Sequence, residues 1–259
     1  MKQIVFNKRN LLLIVVLLCA LGLKLFYSTA SVNELRWILA PTTFLVELAS
    51  GTRFEFESHA GYMASDHSFL IAASCAGVNF LITSFLMLAL SKLWRDRSQK
   101  ISWKFLPQAA LFAYLATIVA NAARISLALR LRRLHLETSW LTPNELHRFE
   151  GIVVYFGFLW LLFMVSERLN WENAPGLRRL LRLSVFPLLI YYATVLGIPL
   201  ANGAYRRGNA ATDFREHSVF VLVIPLLVIP LLLMFVLAVS RFYTAKRSLL
   251  GSQKQLNRS

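Results

Sequence analysis

The sequence predicts an all-α polytopic membrane protein, and three observations support this prediction. Hydrophobic residues make up 57% of the 259-residue chain, charged residues make up only 16%, and the mean hydropathy is +0.55. A soluble domain usually carries about 25% charged residues, so this composition excludes a water-soluble globular protein and a disordered chain. The apolar residues are gathered in runs close to the roughly 20 residues that cross the hydrocarbon core of a bilayer. The basic residues lie mainly between these runs.

Six runs are long and apolar enough to be transmembrane helices. They cover residues 11–27, 74–93, 105–129, 143–166, 184–201 and 218–240. The fourth begins with Thr142-Pro143-Asn144-Glu145, which has the order of residues that a capping box requires. Pro187 and Pro199 lie near the ends of the fifth, and Pro225 and Pro230 are expected to kink the sixth. We expect residues 1–259 to form a single integral membrane domain.

The basic residues between the runs predict the orientation. If the N-terminus is cytoplasmic, the inner segments are 1–10, 92–104, 167–183 and 241–259. These segments hold 17 of the 28 Lys and Arg residues but only 3 of the 13 Asp and Glu residues. The positive-inside rule therefore places both termini in the cytoplasm. The net charge of +15 is then a topology signal, so nucleic acid is not an expected partner.

The first run has an alternative interpretation as a cleaved signal peptide. Three basic residues precede it, and the small residues Ser28-Thr29-Ala30 follow it. Lys24 and the bulky Phe26-Tyr27 argue against cleavage, because they lie where a signal peptidase requires small residues. Cleavage would not change the later topology.

The segment 28–73 is predicted to lie on the outer side of the membrane. Trp37–Ala49 is apolar but too short to span, which predicts a short periplasmic helix in the interface. Arg53–Glu57 alternates with period two, His59–Asp66 is rich in turn residues, and His67–Ala72 follows. This pattern predicts a β-hairpin that leads directly into the second span.

Two cysteines cannot form a disulfide framework, and Cys75 is the more interesting of the two. It follows a predicted strand and Ser74, which is a good helix N-cap, while Gly77 and Asn79 come just after. If Ser74 caps the second span, Cys75 lies in its first turn at the outer boundary, where a helix N-terminus stabilises a thiolate. The alternative is a small apolar residue in a helix, and Cys19 in the first span fits that description.

Two further residues have the same predicted depth. Asn121 and Arg124 share one face of the third span near its outer end. An arginine in hydrocarbon normally faces a protein interior, although it can also snorkel to the headgroups. His147 falls in the second turn of the fourth span with Glu150 three residues on, and its alternative is an ordinary interfacial histidine. Together Cys75, Arg124 and His147 would supply a nucleophile, an anion stabiliser and a proton carrier.

Two other groups of polar residues have simpler interpretations. His59, Asp66 and His67 flank the predicted hairpin turn, but their spacing matches no tight metal motif, so a solvated turn is favoured. The charged residues from Arg206 to His217 are predicted to form a wet outer loop. We therefore predict no metal and no cofactor.

These residues resemble the exosortase/archaeosortase family of membrane proteins. The similarity lies in Ser74–Phe80 (SCAGVNF), in Asn121-Ala-Ala-Arg124-Ile125, and in His147 beside Gly151, and it covers roughly residues 35–170. The stretch around Cys75 is most similar to the exosortase K variant. Cys75-Ala76-Gly77 departs from the Cys-Ser-Gly core of many members, which also favours a variant class.

The resemblance implies an enzyme of a Gram-negative inner membrane whose active site faces the periplasm. Its implied substrates are exported proteins with a C-terminal tail of a short motif, a transmembrane helix and a basic cluster. Carried over to this chain, Cys75 is the nucleophile, Arg124 the electrostatic partner and His147 the acid and base. The residues expected to support the site or to bind substrate are Ser74, Gly77, Asn79, Asn121 and Glu150. The competing expectation is a transporter or scaffold in envelope or polysaccharide assembly, but the last two spans lack the mid-bilayer polar residues typical of transporters.

Overall fold

The computed structural model describes residues 8–96, 101–133, 143–167, 176–201 and 208–256. Its helices are α1 (Lys8–Thr29), α2 (Arg36–Ser50), α3 (Val78–Arg95), α4 (Phe105–Arg133), α5 (Pro143–Ser166), α6 (Leu177–Tyr192), α7 (Ile198–Ala201) and α8 (Gly208–Leu256). Six helical segments among these residues are long and apolar enough to cross a membrane. The predicted all-α polytopic membrane fold is therefore confirmed at this coarse level.

The fifth and sixth spans begin earlier than the apolar runs predict. The fifth is helical from Leu177, because leucine and arginine are good helix formers and continue the helix beyond the apolar run. A π-helical turn over Ala193–Gly197 joins α6 to α7. The predicted outer loop at 206–217 is wrong from Gly208 onward, since α8 already begins there. Residues 206 and 207 lie outside the described residues.

Other predicted helix features have mixed outcomes. α5 begins at Pro143 as predicted, while its predicted cap Thr142 lies outside the described residues. Pro225 and Pro230 both lie inside α8 and do not end it. Pro187 likewise lies inside α6.

The segment before α3 is a three-stranded antiparallel sheet and not a simple hairpin. Its strands are β1 (Phe54–Glu57), β2 (Gly61–Ala64) and β3 (Leu70–Ile71), in the order β1-β2-β3. The predicted turn at His59–Asp66 is therefore wrong, because it contains β2. Gly61 is required in that strand: its φ is +133°, and a Cβ there would collide with the carbonyl of Ile71 on the neighbouring strand.

Contacts group the chain into two compact units, Met1–Phe158 and Leu159–Ser259, and a single membrane domain stays a prediction. In the first unit, α1 packs on α3, and α4 packs on both α2 and α3. Tyr114 of α4 stacks on Trp37 of α2 and donates a hydrogen bond to its carbonyl at 2.7 Å. The second unit has its own core contact, in which Trp160 Nε1 donates to Ser184 Oγ at 2.8 Å.

Candidate active site

Cys75 lies in a short turn between the sheet and α3. The turn is a 3-10 helix over Ala73–Ala76, and α3 itself begins at Val78 after Gly77. The prediction that Ser74 caps α3 is wrong, because Gly77 occupies the N-cap position with φ +71°. Cys75 is half-buried and Ser74 is exposed. The cysteine therefore precedes the helix and is held by the turn.

Gly77 allows α4 to approach this turn closely. A Cβ on Gly77 would lie 3.1 Å from Cγ and 3.2 Å from Nδ2 of Asn121, which is tighter than ordinary van der Waals contact. In that position Asn121 Nδ2 donates a hydrogen bond to the backbone carbonyl of Cys75. The backbone that carries the thiol is thus fixed by a side chain of a different helix.

The amide oxygen of Asn121 organises the neighbouring side chains. It accepts a hydrogen bond from the Tyr155 hydroxyl at 2.8 Å and one from Arg124 Nε at 3.3 Å. Asn121 is fully buried, so these bonds also satisfy a polar group that would otherwise be costly to bury. One residue of α4 therefore connects the cysteine turn with α5.

Arg124 is turned into the protein, where it lies against His147 and is linked to the Cys75 turn through Asn121. It is only 8% exposed, and its guanidinium lies 5.4 Å from the centroid of the Tyr155 ring. Nη1 lies 3.4 Å from Nε2 of His147, and Nε donates a hydrogen bond to Asn121, whose amide also binds the backbone carbonyl of Cys75. The alternative of snorkelling to the headgroups is thereby excluded.

His147 is held between Arg124 and Glu150. Its Nδ1 lies 2.8 Å from Oε1 of Glu150, whose side chain is only 3% exposed, while the side chain of His147 is 56% exposed. Because a guanidinium can only donate hydrogen bonds, Nε2 of a neutral His147 must be the accepting nitrogen. Nδ1 then carries the ring proton and donates a hydrogen bond to Glu150. In this tautomer Nε2 is the basic nitrogen, and it can take up a proton once it gives up the bond from Arg124.

Gly151 and Tyr155 complete the inner face of α5. They follow His147 at intervals of four residues, so all three lie on one side of the helix. A Cβ on Gly151 would lie 3.9 Å from Cδ of Arg124, which is ordinary van der Waals contact, so this position of α5 lies directly against that side chain. Tyr155 stacks on Phe80 of α3 with ring centroids 5.1 Å apart. The sequence analysis missed Tyr155, although its spacing from His147 is a signal that could have found it.

The sequence analysis also missed a contribution from α1. Tyr27, near the end of α1, and Cys75 pack against the same hydrophobic core. Lys24, one turn earlier, places Nζ 2.8 Å from Oδ1 of Asn79. Asn79, predicted as a supporting residue, therefore contacts α1 through its side chain.

The alternative metal site has no support in the described part of the chain. No group of three or more His, Cys, Asp or Glu residues there could hold a metal ion. Asp66 instead accepts hydrogen bonds from the backbone and hydroxyl of Ser68, as a turn residue does. His59 and His67 are exposed.

The site therefore consists of Cys75, Asn121, Arg124, His147 and Glu150, with Tyr155 beside them. Comparisons with protein-family models, curated proteins and solved structures give no match for this chain. Membership of the exosortase/archaeosortase family stays a prediction from the motifs around Cys75, Arg124 and His147.

Proposed function

We propose that this protein is a membrane-embedded cysteine transpeptidase or peptidase of the exosortase type. It cleaves a C-terminal sorting tail from exported proteins at the periplasmic face of a bacterial inner membrane. The observation that carries the proposal is the buried Arg124, which lies 3.4 Å from His147 and is joined to the Cys75 turn through the amide of Asn121. A nucleophile, an anion stabiliser and a proton carrier on three separate chain segments then form one cluster.

The position of the site in the membrane follows from the distribution of charge. Both termini are cytoplasmic by the positive-inside rule, which puts the Cys75 turn and the start of α5 on the outer side. The helix α2 and the small sheet then lie at the periplasmic interface. A substrate anchored by its own transmembrane helix would be confined to the plane of the membrane, which raises its effective concentration at this depth.

We expect a proton to pass from Cys75 to His147 during the reaction, and this transfer leaves the net charge of the cluster unchanged. Before transfer, the positive Arg124 is balanced by the negative Glu150, and the other two groups are neutral. After transfer, the thiolate is balanced by the imidazolium, so the net charge of the cluster is zero in both states. Arg124 stabilises the thiolate, and Glu150 stabilises the imidazolium through Nδ1–H. The transfer therefore requires no net charge to be created in the cluster.

The reaction then follows the chemistry of a cysteine acyl transfer. The Cys75 thiolate attacks the scissile carbonyl, and Arg124 stabilises the resulting oxyanion. The C–N bond breaks, and His147 gives its proton to the leaving amine of the tail. The acyl group remains on Cys75 as a thioester. An amine or water then attacks the thioester, gives up its proton to His147 and releases the product.

The test is a map of the C-termini of exported proteins in the organism that encodes the chain. A set of proteins should lose a motif, helix and basic tail in cells with the wild-type protein and retain it with Cys75→Ala. Cys19→Ala is the matched control, because it removes the other cysteine, which is exposed on α1, and should leave tail removal intact. Identical C-termini in wild-type and Cys75→Ala cells would refute the proposal.

Mapping the C-termini also distinguishes transfer of the cleaved protein to an acceptor from hydrolysis of the thioester. Transfer leaves the new C-terminus joined to an acceptor, and the added mass identifies it. Hydrolysis leaves a free carboxylate at the same position. Arg124→Ala and His147→Ala should each abolish either product while the protein still inserts into the membrane.

A further inference from the structure

An apolar cavity lies between α1, α3 and α4, which are three of the helices long enough to span a membrane. Its volume is about 550 Å³. Its walls include Cys19 of α1, Phe85 of α3 and Leu106 of α4. Tyr114 is the last residue of α4 on the wall, and it stacks on Trp37, which is the contribution of α2. This aromatic pair closes one end of the cavity.

The chemistry of the walls favours a hydrocarbon group over water. A buried water needs two to four polar partners. Among the residues that line the cavity, strong polar side-chain groups are confined to Trp37 and Tyr114 at the closed end. The Tyr114 hydroxyl already donates to the Trp37 carbonyl at 2.7 Å. Along the rest of the cavity a hydrocarbon group gains dispersion contacts that an empty space lacks.

The width of the cavity distinguishes a lipid chain from a protein helix. Leu106 and Tyr114 are eight residues apart on α4, so the cavity is at least about 12 Å long. Its mean cross-section is then at most about 46 Å². A helix with its side chains is about 10–12 Å wide and requires roughly 80–110 Å². An extended hydrocarbon chain therefore fits, whereas a transmembrane helix of another protein does not.

The open side of the cavity and its inner end indicate which lipid enters. Ala110 on the wall is exposed, so the cavity opens sideways to the hydrocarbon of the bilayer. In the proposed orientation Trp37 closes the outer end, and Leu106 lies at the cytoplasmic end. Lys104 is exposed and precedes Leu106 by two residues, so their Cα atoms are at most about 7 Å apart. A lipid phosphate at this boundary meets a positive charge.

We propose that the cavity binds one acyl chain of an inner-leaflet phospholipid whose phosphate lies at Lys104. The chain fills the space between α1, α3 and α4 and ends below Trp37. The lipid thereby supports α2, which packs on α4 and contacts the turn that carries Cys75. The inference uses the proposed orientation and does not depend on the proposed catalytic activity.

Native mass spectrometry of the full chain tests this site. The protein is reconstituted in vesicles of equal parts phosphatidylglycerol and phosphatidylcholine with identical acyl chains, and is then transferred to a mild detergent. We expect one retained phospholipid per chain. Phosphatidylglycerol should be retained about fivefold over phosphatidylcholine, which is the effect expected of one basic residue at a membrane surface.

Two substitutions fill the cavity from opposite walls. Ala110→Trp on α4 and Cys19→Trp on α1 should each lower lipid retention at least about fivefold, because the indole occupies space that the acyl chain needs. Val119→Trp is the matched control, since Val119 is 48% exposed on α4 and is not a wall residue. Lys104→Gln should remove the preference for phosphatidylglycerol and leave total retention within about twofold of wild type. Circular dichroism checks that each variant keeps its helices.

Each contrary result overturns the proposal in a different way. Equal loss of lipid in Ala110→Trp and Val119→Trp would show that the lipid only coats the surface of the protein. Full retention in both filling variants, or no retained lipid in the wild type, would show that the cavity is not a lipid site. A preference for phosphatidylglycerol that survives Lys104→Gln would place the headgroup elsewhere and overturn the inner-leaflet assignment. None of these results depends on tail removal, so the proposed function is tested separately.

Discussion

Replacing Gly77 by alanine tests whether the close contact between the Cys75 turn and Asn121 builds the site. The chain offers a matched control, because Gly51 at the end of α2 has the same φ of +71°. A Cβ on Gly51 meets no atom within 4 Å, whereas a Cβ on Gly77 would lie 3.1 to 3.3 Å from three atoms of Asn121. Both substitutions therefore place an alanine in a left-handed backbone conformation, but only the one at Gly77 brings its side chain too close to a neighbouring residue.

The expected magnitudes follow from this difference. An L-residue in the left-handed region costs about 1–2 kcal/mol, and the stiffer unfolded chain of an alanine variant returns about 0.4–1 kcal/mol. Gly51→Ala should therefore lower the free energy of unfolding by about 1 kcal/mol. Overpacking adds about 1–3 kcal/mol at Gly77, because Asn121 is buried and cannot move without losing its hydrogen bond to the Cys75 carbonyl. Gly77→Ala should thus lower the free energy of unfolding by about 2–4 kcal/mol.

Thermal unfolding followed by circular dichroism, together with tail removal in cells, measures both consequences. Gly77→Ala should reduce tail removal at least about tenfold at a temperature where the protein is still folded, since the thiol moves relative to Arg124. Gly51→Ala should keep tail removal within about twofold of wild type. If the two variants lose stability and activity equally, the contact between Gly77 and Asn121 has no special role in the site.

Three further predictions concern individual charges. Arg124→Lys should reduce tail removal at least about tenfold, measured by C-terminal mapping, because an ammonium group cannot donate to Asn121 and His147 in the same fixed geometry. Glu150→Gln should reduce it at least about 100-fold without loss of membrane insertion, since a neutral amide no longer stabilises the imidazolium. Glu34 accepts two hydrogen bonds from Ser31, and the backbone N–H bond lowers its pKa below the usual 4.5. Its contribution to stability is therefore present above about pH 4.5 and lost as the pH falls through the lowered value, so thermal unfolding of Glu34→Gln should depend less on pH in this range.

The sequence predicts the spans well because hydropathy over about 20 residues is a local property. It also places Asn121 beside Arg124 and His147 beside Glu150, since residues three apart on a helix share a face. In both pairs the side chains are in fact joined, at 3.3 Å and 2.8 Å. Local periodicity is enough for such pairs.

The start of α3 is different, because a tertiary contact decides it. Serine is a residue type that often caps helices, so the local sequence favours Ser74. Where Asn121 approaches, however, the backbone is left-handed and has no room for a side chain, and Gly77 meets both conditions. The helix therefore begins after Gly77, and Cys75 is left in the preceding turn. No local rule contains the position of Asn121, which comes 44 residues later in the chain.

The strand β2 was missed for a similar reason. Ala60, Gly61 and the polar residues around them are typical of a turn, and only pairing with β1 and β3 makes Gly61–Ala64 extended. The same pairing needs Gly61 next to the Ile71 carbonyl, so the residue that indicated a turn is the one that permits the strand. A glycine marks close backbone approach as often as it marks a bend.

Asn121, and not one of the three reactive residues, is the centre of this arrangement. Its amide donates to the Cys75 carbonyl and accepts from Tyr155 and Arg124, so it joins the turn before α3, the helix α4 and the helix α5. Because all three bonds are made by one rigid planar group, the three partners cannot shift independently. The thiol, the guanidinium and, through Arg124, the imidazole acquire their relative positions only when these three segments have packed together. A site built in this way does not exist in any separate helix, which explains why the sequence identifies Asn121 and the reactive residues but not the hydrogen bonds that join them.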